Sequence, residues 1–400
     1  MEVPEQVENI LKTITKDENI DEYDIDIHAG NKKGDGFLGE LLFLDVIEKK
    51  TDKVLSLVFK KAFQQANLRD KMPIRQTFIN EIYFYEDVYP ELNKLQSDGN
   101  ITNKFTNIAK CFYSTLEPCK EYIVMENLKA KGFEVFDKTK LLSMEHIELI
   151  FKTYGRFHGI SFALSKKNPE KFQEIDEKCV NVFNIFGTED HFKTAMLTMA
   201  KSVYDKLIPG EDDKLIKSLE KYLDKGHDYY LEGINYKGKY NTINHGDCWS
   251  NNMMFKYDNG TVSEITVIDW QLIKVGSPMH DLVYCLYTGT GKEVYSQLDY
   301  IHKIYYNSLT STLKEFNLDV EEIYPFEALK EDWQVVSKFA MMFAFMICKI
   351  KLAVQEDMFD LTDFDTKEQR ENPMFKMRVA DSYDVMMKDL VTHMYDIGVL

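Results

Sequence analysis

The hydrophobic period of this chain shifts near residue 125, and that shift narrows the fold more than any other feature. Before it, apolar residues alternate or run in short stretches; after it, they recur at three- and four-residue steps. Segment 37–47 reads as a strand, 48–53 as a charged turn and 54–60 as the returning strand of a hairpin. Segments 110–115 and 122–125 are short strands parted by a turn at Glu117-Pro118. One helix lies among them over 77–89, with Pro90 marking its end. Residues 1 to about 30 are polar and helical, with Ile10, Leu11 and Ile14 on one face. Beyond the change, Ile147, Ile150, Phe151, Tyr154, Phe157, His158 and Ser161 line one face of an amphipathic helix. Further helical patterns cover roughly 190–207, 212–232, 293–316, 325–355 and 376–397, and one strand-rich island, 242–273, interrupts them. The expectation is an α+β chain of two lobes, a small β-rich one over 1–127 and a larger, mostly helical one over 128–400. A length of 400 residues, more than one compact core usually holds, agrees.

Charge removes some function classes. A formal net charge of −17 repels nucleic-acid backbones and anionic headgroups, so neither nucleic acid nor a membrane is an expected partner. A nucleotide can still bind, because one metal-filled pocket is locally cationic. The longest apolar run, 339–348, is flanked by Lys338 and Lys349 and is too short to span a bilayer. Six cysteines, none in a C-x-x-C pair, read as free thiols of a cytoplasmic protein. The start, Met1-Glu2-Val3-Pro4-Glu5, shows no secretory signal. Protein partners are not legible.

The chemistry concentrates in His245-Gly246-Asp247-Cys248-Trp249-Ser250-Asn251-Asn252, which fits H-x-D-x-x-x-x-N. Two apolar runs, 253–257 and 262–268, then flank Asp258-Asn259-Gly260, and Asp269 closes the second. Asn-Gly between apolar runs is the strongest short-range hairpin signal. Such a hairpin leaves at Asn252 and returns at Asp269, bringing the two side chains together. Phosphoryl transfer needs a positioned hydroxyl, a carboxylate to take its proton and a metal to neutralise phosphate oxygens. Asp247 is the candidate base. Asn252 offers an amide oxygen and Asp269 a carboxylate, both hard ligands for Mg2+. His245 braces the loop. The kinase pattern has the same Asp, Asn and second Asp. The blander reading is that Asp247 caps a turn and Asp269 ends a strand. Zinc at His245 and Cys248 would lack a second Cys/His pair.

Upstream, Gly34-Asp35-Gly36-Phe37-Leu38-Gly39 opens the first hairpin, where Gly34 and Gly36 would let backbone N–H groups approach phosphates. Lys60 closes an apolar strand and Glu81 lies on the next helix; kinases require such a Lys–Glu pair at the phosphates. Lys61 and Glu86 compete for these places, although strand alternation puts Lys61 on the opposite face. Glu126 and Leu128 stand at the lobe boundary, where the hinge of a two-lobed kinase would offer backbone groups to adenine; the blander reading is a strand leading into a linker. His158 reads as a core histidine. Asp281 reads most simply as an N-cap, with a brace to the catalytic loop as the alternative. Tyr284, Met341, Met342 and Phe345 are either core or acceptor-pocket lining.

In this order, the pieces resemble the ecdysteroid kinase-like family, also called CHK kinase-like. It belongs to the choline kinase and aminoglycoside phosphotransferase group with a protein-kinase-like fold. The likeness runs from about residue 30 to about 350 and is most specific over 245–255, with Cys248 and Trp249 in place. Residues 123–133 and Gly155-Arg156-Phe157-His158-Gly159 share it. Trp270 stands where the family usually has Phe, and Asn127 where an acidic residue is common. The resemblance implies an ATP- and Mg2+-dependent kinase for a hydroxyl of a small molecule, an ecdysteroid or a similar sterol or foreign compound. Asp247 would be the base, Asn252 and Asp269 would hold metal, and Lys60 would bind phosphate. A choline or ethanolamine kinase and a nucleotide-binding pseudokinase are the alternatives. A protein kinase is disfavoured, since no Ala-Pro-Glu follows Asp269.

Overall fold

A computed structural model describes residues 4–28, 39–188, 190–357 and 377–400, so Gly34 and Gly36 lie outside the described residues. The first lobe is one antiparallel sheet of β1 (Tyr23–His28), β2 (Gly39–Glu48), β3 (Val54–Ala62), β4 (Cys111–Thr115) and β5 (Tyr122–Glu126). Its spatial order is β1-β2-β3-β5-β4. β2 and β3 are the expected hairpin, and Lys60 sits mid-sheet, opposite Leu41 on one side and Ile123 on the other. The two-residue period buries Lys60 and turns Lys61 outward to Glu40, 3.8 Å away.

Two expectations for this lobe fail for local reasons. The N-terminal helix, α1 (Glu5–Asp17), stops early, and the chain adds β1 at the sheet edge. Asp24 and Asp26 are poor strand formers, so β1 is a strand because β2 offers it a partner. Val7, Ile10, Leu11 and Ile14 of α1 then cover Leu44, Val46, Leu57 and Phe59 on one sheet face. The helix α2 (Ile74–Tyr83) does not end at Pro90 either. A π turn over Phe84–Val88 carries it into α3 (Tyr89–Asp98), with Pro90 in the first turn. A proline there gives up an N–H that has little use within its own helix.

The second lobe is built on α4 (Met144–Lys167), α5 (Met279–Gly289), α6 (Leu298–Glu315) and α7 (Phe326–Lys351). A β carbon at Gly155 or Gly159 would press on Ser308 or Thr312 at under 3 Å, so the two glycines let α4 lie close against α6. The pattern over 212–232 is two helices, Asp213–Leu223 and Gly226–Ile234, and the last is helical only over Ser382–Asp396. α7 lies within the described stretch long and apolar enough to cross a membrane. There, 83% of the most apolar window is buried inside the protein. Met341, Met342 and Phe345 are core residues.

Small sheets sit between these helices. β6 (Glu134–Val135), β8 (Met253–Asp258) and β9 (Thr261–Val267) form one, and β7 (Thr242–Asn244) pairs with β10 (Lys274–Gly276). The β8–β9 hairpin turns at Asn259 and Gly260, both with positive φ, as the Asn-Gly signal requires.

Candidate active site

The chain leaves β7 at Asn244 and bends sharply. Gly246 has φ +85, and a β carbon there would stand 2.0 Å from the Leu272 carbonyl oxygen, so only glycine fits. Asp281 holds the bend, accepting from the His245 N–H and the Gly246 N–H, both at 2.8 Å. The N-cap position of α5 belongs to Pro278, so Asp281 is the loop's brace and not a cap. His158 Nε2 lies 3.3 Å from the same carboxylate and its Nδ1 3.0 Å from the Tyr305 hydroxyl, which makes it a partnered core histidine. The His245 Nε2–H donates to the Ile268 carbonyl at 3.0 Å.

Asn252 and Asp269 converge on this loop because β8 and β9 pair Met253 with Val267. Asn252 Nδ2 donates to the Asp247 carbonyl at 3.0 Å and to Asp247 Oδ2 at 2.8 Å. Asp269 sits at φ +67, a left-handed conformation that Asp tolerates better than most side chains. Lys60 Nζ donates to Asp269 Oδ1 at 2.6 Å and to Glu81 Oε2 at 2.5 Å. A lysine from the first lobe thus joins a carboxylate of its own lobe to one of the second. Glu86, the rival glutamate, instead takes the Ser114 hydroxyl. Glu126 accepts from the Lys110 N–H at 2.8 Å and pairs with Lys131, and Leu128 is buried beyond it.

Electrostatics follow from burial. Burial alone would lower the Lys60 pKa, but the Asp269 and Glu81 carboxylates more than reverse this and hold it above its ordinary value. Burial, then the charge of Asp269, push the Asp247 carboxyl up to about 7, against the hydrogen bonds from Tyr284 and Asn252.

Three contacts were not legible in the sequence, which offered Tyr284 only as core or pocket lining and Trp270 only as a departure from the family pattern. Tyr284 donates its hydroxyl to Asp247 Oδ1 at 2.9 Å; its one signal was the three-residue step from Asp281. Asn80, beside Glu81, donates to the Gln271 carbonyl at 3.2 Å and the Val180 carbonyl at 2.9 Å. Trp270 stacks on Phe84 with ring centroids 3.7 Å apart and an interplanar angle of 5°. Together, Asn80 and Phe84 dock the α2 helix and its π turn onto the segment after Asp269.

A five-stranded antiparallel sheet over a helical lobe, with a strand lysine reaching across to the second lobe, is a protein-kinase-like fold. Within that fold class the chain belongs to the Ecdysteroid kinase-like family, whose model matches residues 33–318. No curated protein matches the chain. Solved structures similar to it at low identity include three phosphotransferase complexes. The GDP complex of wild-type aminoglycoside 2'-phosphotransferase-IIIa is 13% identical, with 97% of this chain and 99% of that one covered and a TM-score of 0.45. The GDP and kanamycin complex of APH(2")-IIia is 14% identical, covering 84% and 90%, with a TM-score of 0.41. APH(3'')-Id from Streptomyces rimosus ATCC10970, with ADP and streptomycin, is 12% identical, covering 85% and 98%, with a TM-score of 0.29.

Proposed function

We propose that this protein transfers the γ-phosphoryl group of ATP to a hydroxyl of a small molecule. Ecdysteroids or similar sterols and foreign compounds are the acceptor class, on the strength of family membership. The observation that carries the reading is the linked set Glu81–Lys60–Asp269 beside Asn252–Asp247, drawn from both lobes. In this reading Lys60, held by Glu81, binds the α- and β-phosphates. Asp247 orients the acceptor hydroxyl and receives its proton as the new O–P bond forms and the bond to ADP breaks. Asn252 Nδ2 aims Asp247, and the backbone groups around Glu126 and Leu128 receive the adenine.

Asn252 and Asp269 would hold Mg2+, and the residues fit it. Asn252 spends its amide N–H on Asp247, so its amide oxygen is not needed for that contact. Among the described residues, no cluster of three His, Cys, Asp or Glu side chains is poised for a metal. Two hard oxygen donors suit an ion that keeps waters and phosphate oxygens as its remaining ligands. Bound there, Mg2+ would neutralise the phosphate oxygens. Free cysteines support a cytoplasmic setting.

The test is ATP consumption across a panel of ecdysteroids, other sterols, choline and ethanolamine, with Asp247→Asn as control. The variant should lose about a thousandfold in turnover and keep its MgADP affinity. Turnover of choline alone would reassign the acceptor. Nucleotide binding without any turnover would make the protein a pseudokinase.

A further inference from the structure

One face of α5 is fitted to the catalytic loop, residue against residue. Positions 281, 284 and 285 are spaced i, i+3 and i+4, so they share that face. Asp281 takes the N–H groups of His245 and Gly246, Tyr284 reaches Asp247, and Cys285 meets the Cys248 thiol. Four consecutive loop residues are therefore held by three side chains of a single helix. Asp281 and Cys285 act on backbone and on a buried thiol. Of the three, Tyr284 is the one that touches the half-buried carboxylate.

That contact has a geometric consequence. The Asp247 carboxylate carries one donor on each oxygen: Tyr284 Oη on Oδ1 at 2.9 Å and Asn252 Nδ2 on Oδ2 at 2.8 Å. The final torsion of an aspartate is soft and broad, so a carboxylate held at one oxygen can rock about its axis. A donor at each oxygen fixes its plane. Tyr284 is itself held firmly: it is buried, and its ring meets Phe343 edge to face at 4.8 Å. The hydroxyl is thus delivered from a packed helix and not from a mobile loop.

We infer that Tyr284 is a positioning residue for phosphoryl transfer, its hydroxyl setting the plane of the Asp247 carboxylate so that an acceptor hydroxyl meets it in line. This rests on the reading of Asp247 as the base. Tyr284 binds neither nucleotide nor metal; it acts through Asp247.

Tyr284→Phe in the full chain removes the hydroxyl and keeps the ring on Phe343. Four proteins are compared: wild type, Y284F, D247N and the double variant. MgADP affinity is read by titration calorimetry, and ATP hydrolysis with water as the acceptor is read in single turnover. Y284F should lower the single-turnover rate constant about tenfold. The amplitude, the KM for ATP and the MgADP affinity should stay within about twofold of wild type, as for an interaction made only during reaction. A purely structural defect would lower the amplitude and leave the rate constant alone. The double variant should be no slower than D247N, since Tyr284 has no target once the base is gone. A Y284F rate constant equal to wild type, a loss confined to amplitude, or a double variant slower than D247N overturns the role of Tyr284 and leaves the kinase reading standing. A D247N variant as fast as wild type, or a wild type that binds MgADP but transfers phosphate neither to water nor to any acceptor of the panel, overturns that reading and the role of Tyr284 together.

Discussion

Lys60 is a buried ammonium between two carboxylates, and its removal should be felt in stability as well as in rate. Lys60→Met leaves Glu81 fully buried and unpaired, which costs about 3–5 kcal/mol. Urea unfolding of K60M, E81Q and the double variant should show the double losing clearly less than the sum of the singles; simple additivity would contradict a mutual ion pair. The strand period put Lys60 inside and Lys61 outside, and the helix that follows carried Glu81, so this pair could be read from residue order. Tyr284 could not. Within Leu282-Val283-Tyr284-Cys285 a phenol looks like one more core side chain, and its hydroxyl gains meaning from a carboxylate 37 positions earlier in the chain.

At the level of elements, two glycines with the same backbone angle test how the site is shaped. Gly246 and Gly260 both have φ +85, but a β carbon at Gly260 would meet open space. Gly260→Ala should cost only the strain of a left-handed residue, about 1–2 kcal/mol. Gly246→Ala meets the Leu272 carbonyl as well and should cost distinctly more, with loss of nucleotide turnover. Urea unfolding of both variants checks this; equal losses would mean that the loop can move away from Leu272. The Asn-Gly hairpin was legible because its turn demands those residue types. The continuation of the helix through Pro90 was not. A proline signals a break to the helix before it, and here the π turn places it in the first turn of the next helix.

At the scale of the whole molecule, several buried histidines are kept neutral, and they add to its sensitivity to acid. Burial lowers His302 to about 4, opposed by Asp299 and aided by Lys330 and His393, and neither of its ring nitrogens has a hydrogen-bond partner among the described residues. His280 and His393 are lowered in the same way, to about 3 and about 4. The unfolded chain binds these protons below about pH 6.5, while the folded one refuses them until near pH 4. The stability that these histidines contribute is therefore complete above pH 6.5 and falls as the pH drops toward 4, by about 3 kcal/mol for His302 alone. His302→Phe, which keeps a ring against Trp333, should flatten the dependence of urea unfolding on pH across that window. An unchanged slope would exclude His302 as a source of acid sensitivity. Hydrophobic period and turn chemistry act over a few residues, so the order of residues already settled the β-rich and helical lobes, the Lys60 face and the Asn252-to-Asp269 hairpin. Edge strand β1, the Asp281 brace, the Tyr284 hydroxyl and the stacking of Phe84 on Trp270 depend on groups far apart in the chain. They came into being only when the two lobes and their helices packed together, because a hydrogen bond or a ring contact exists only where folding puts both partners within a few ångströms.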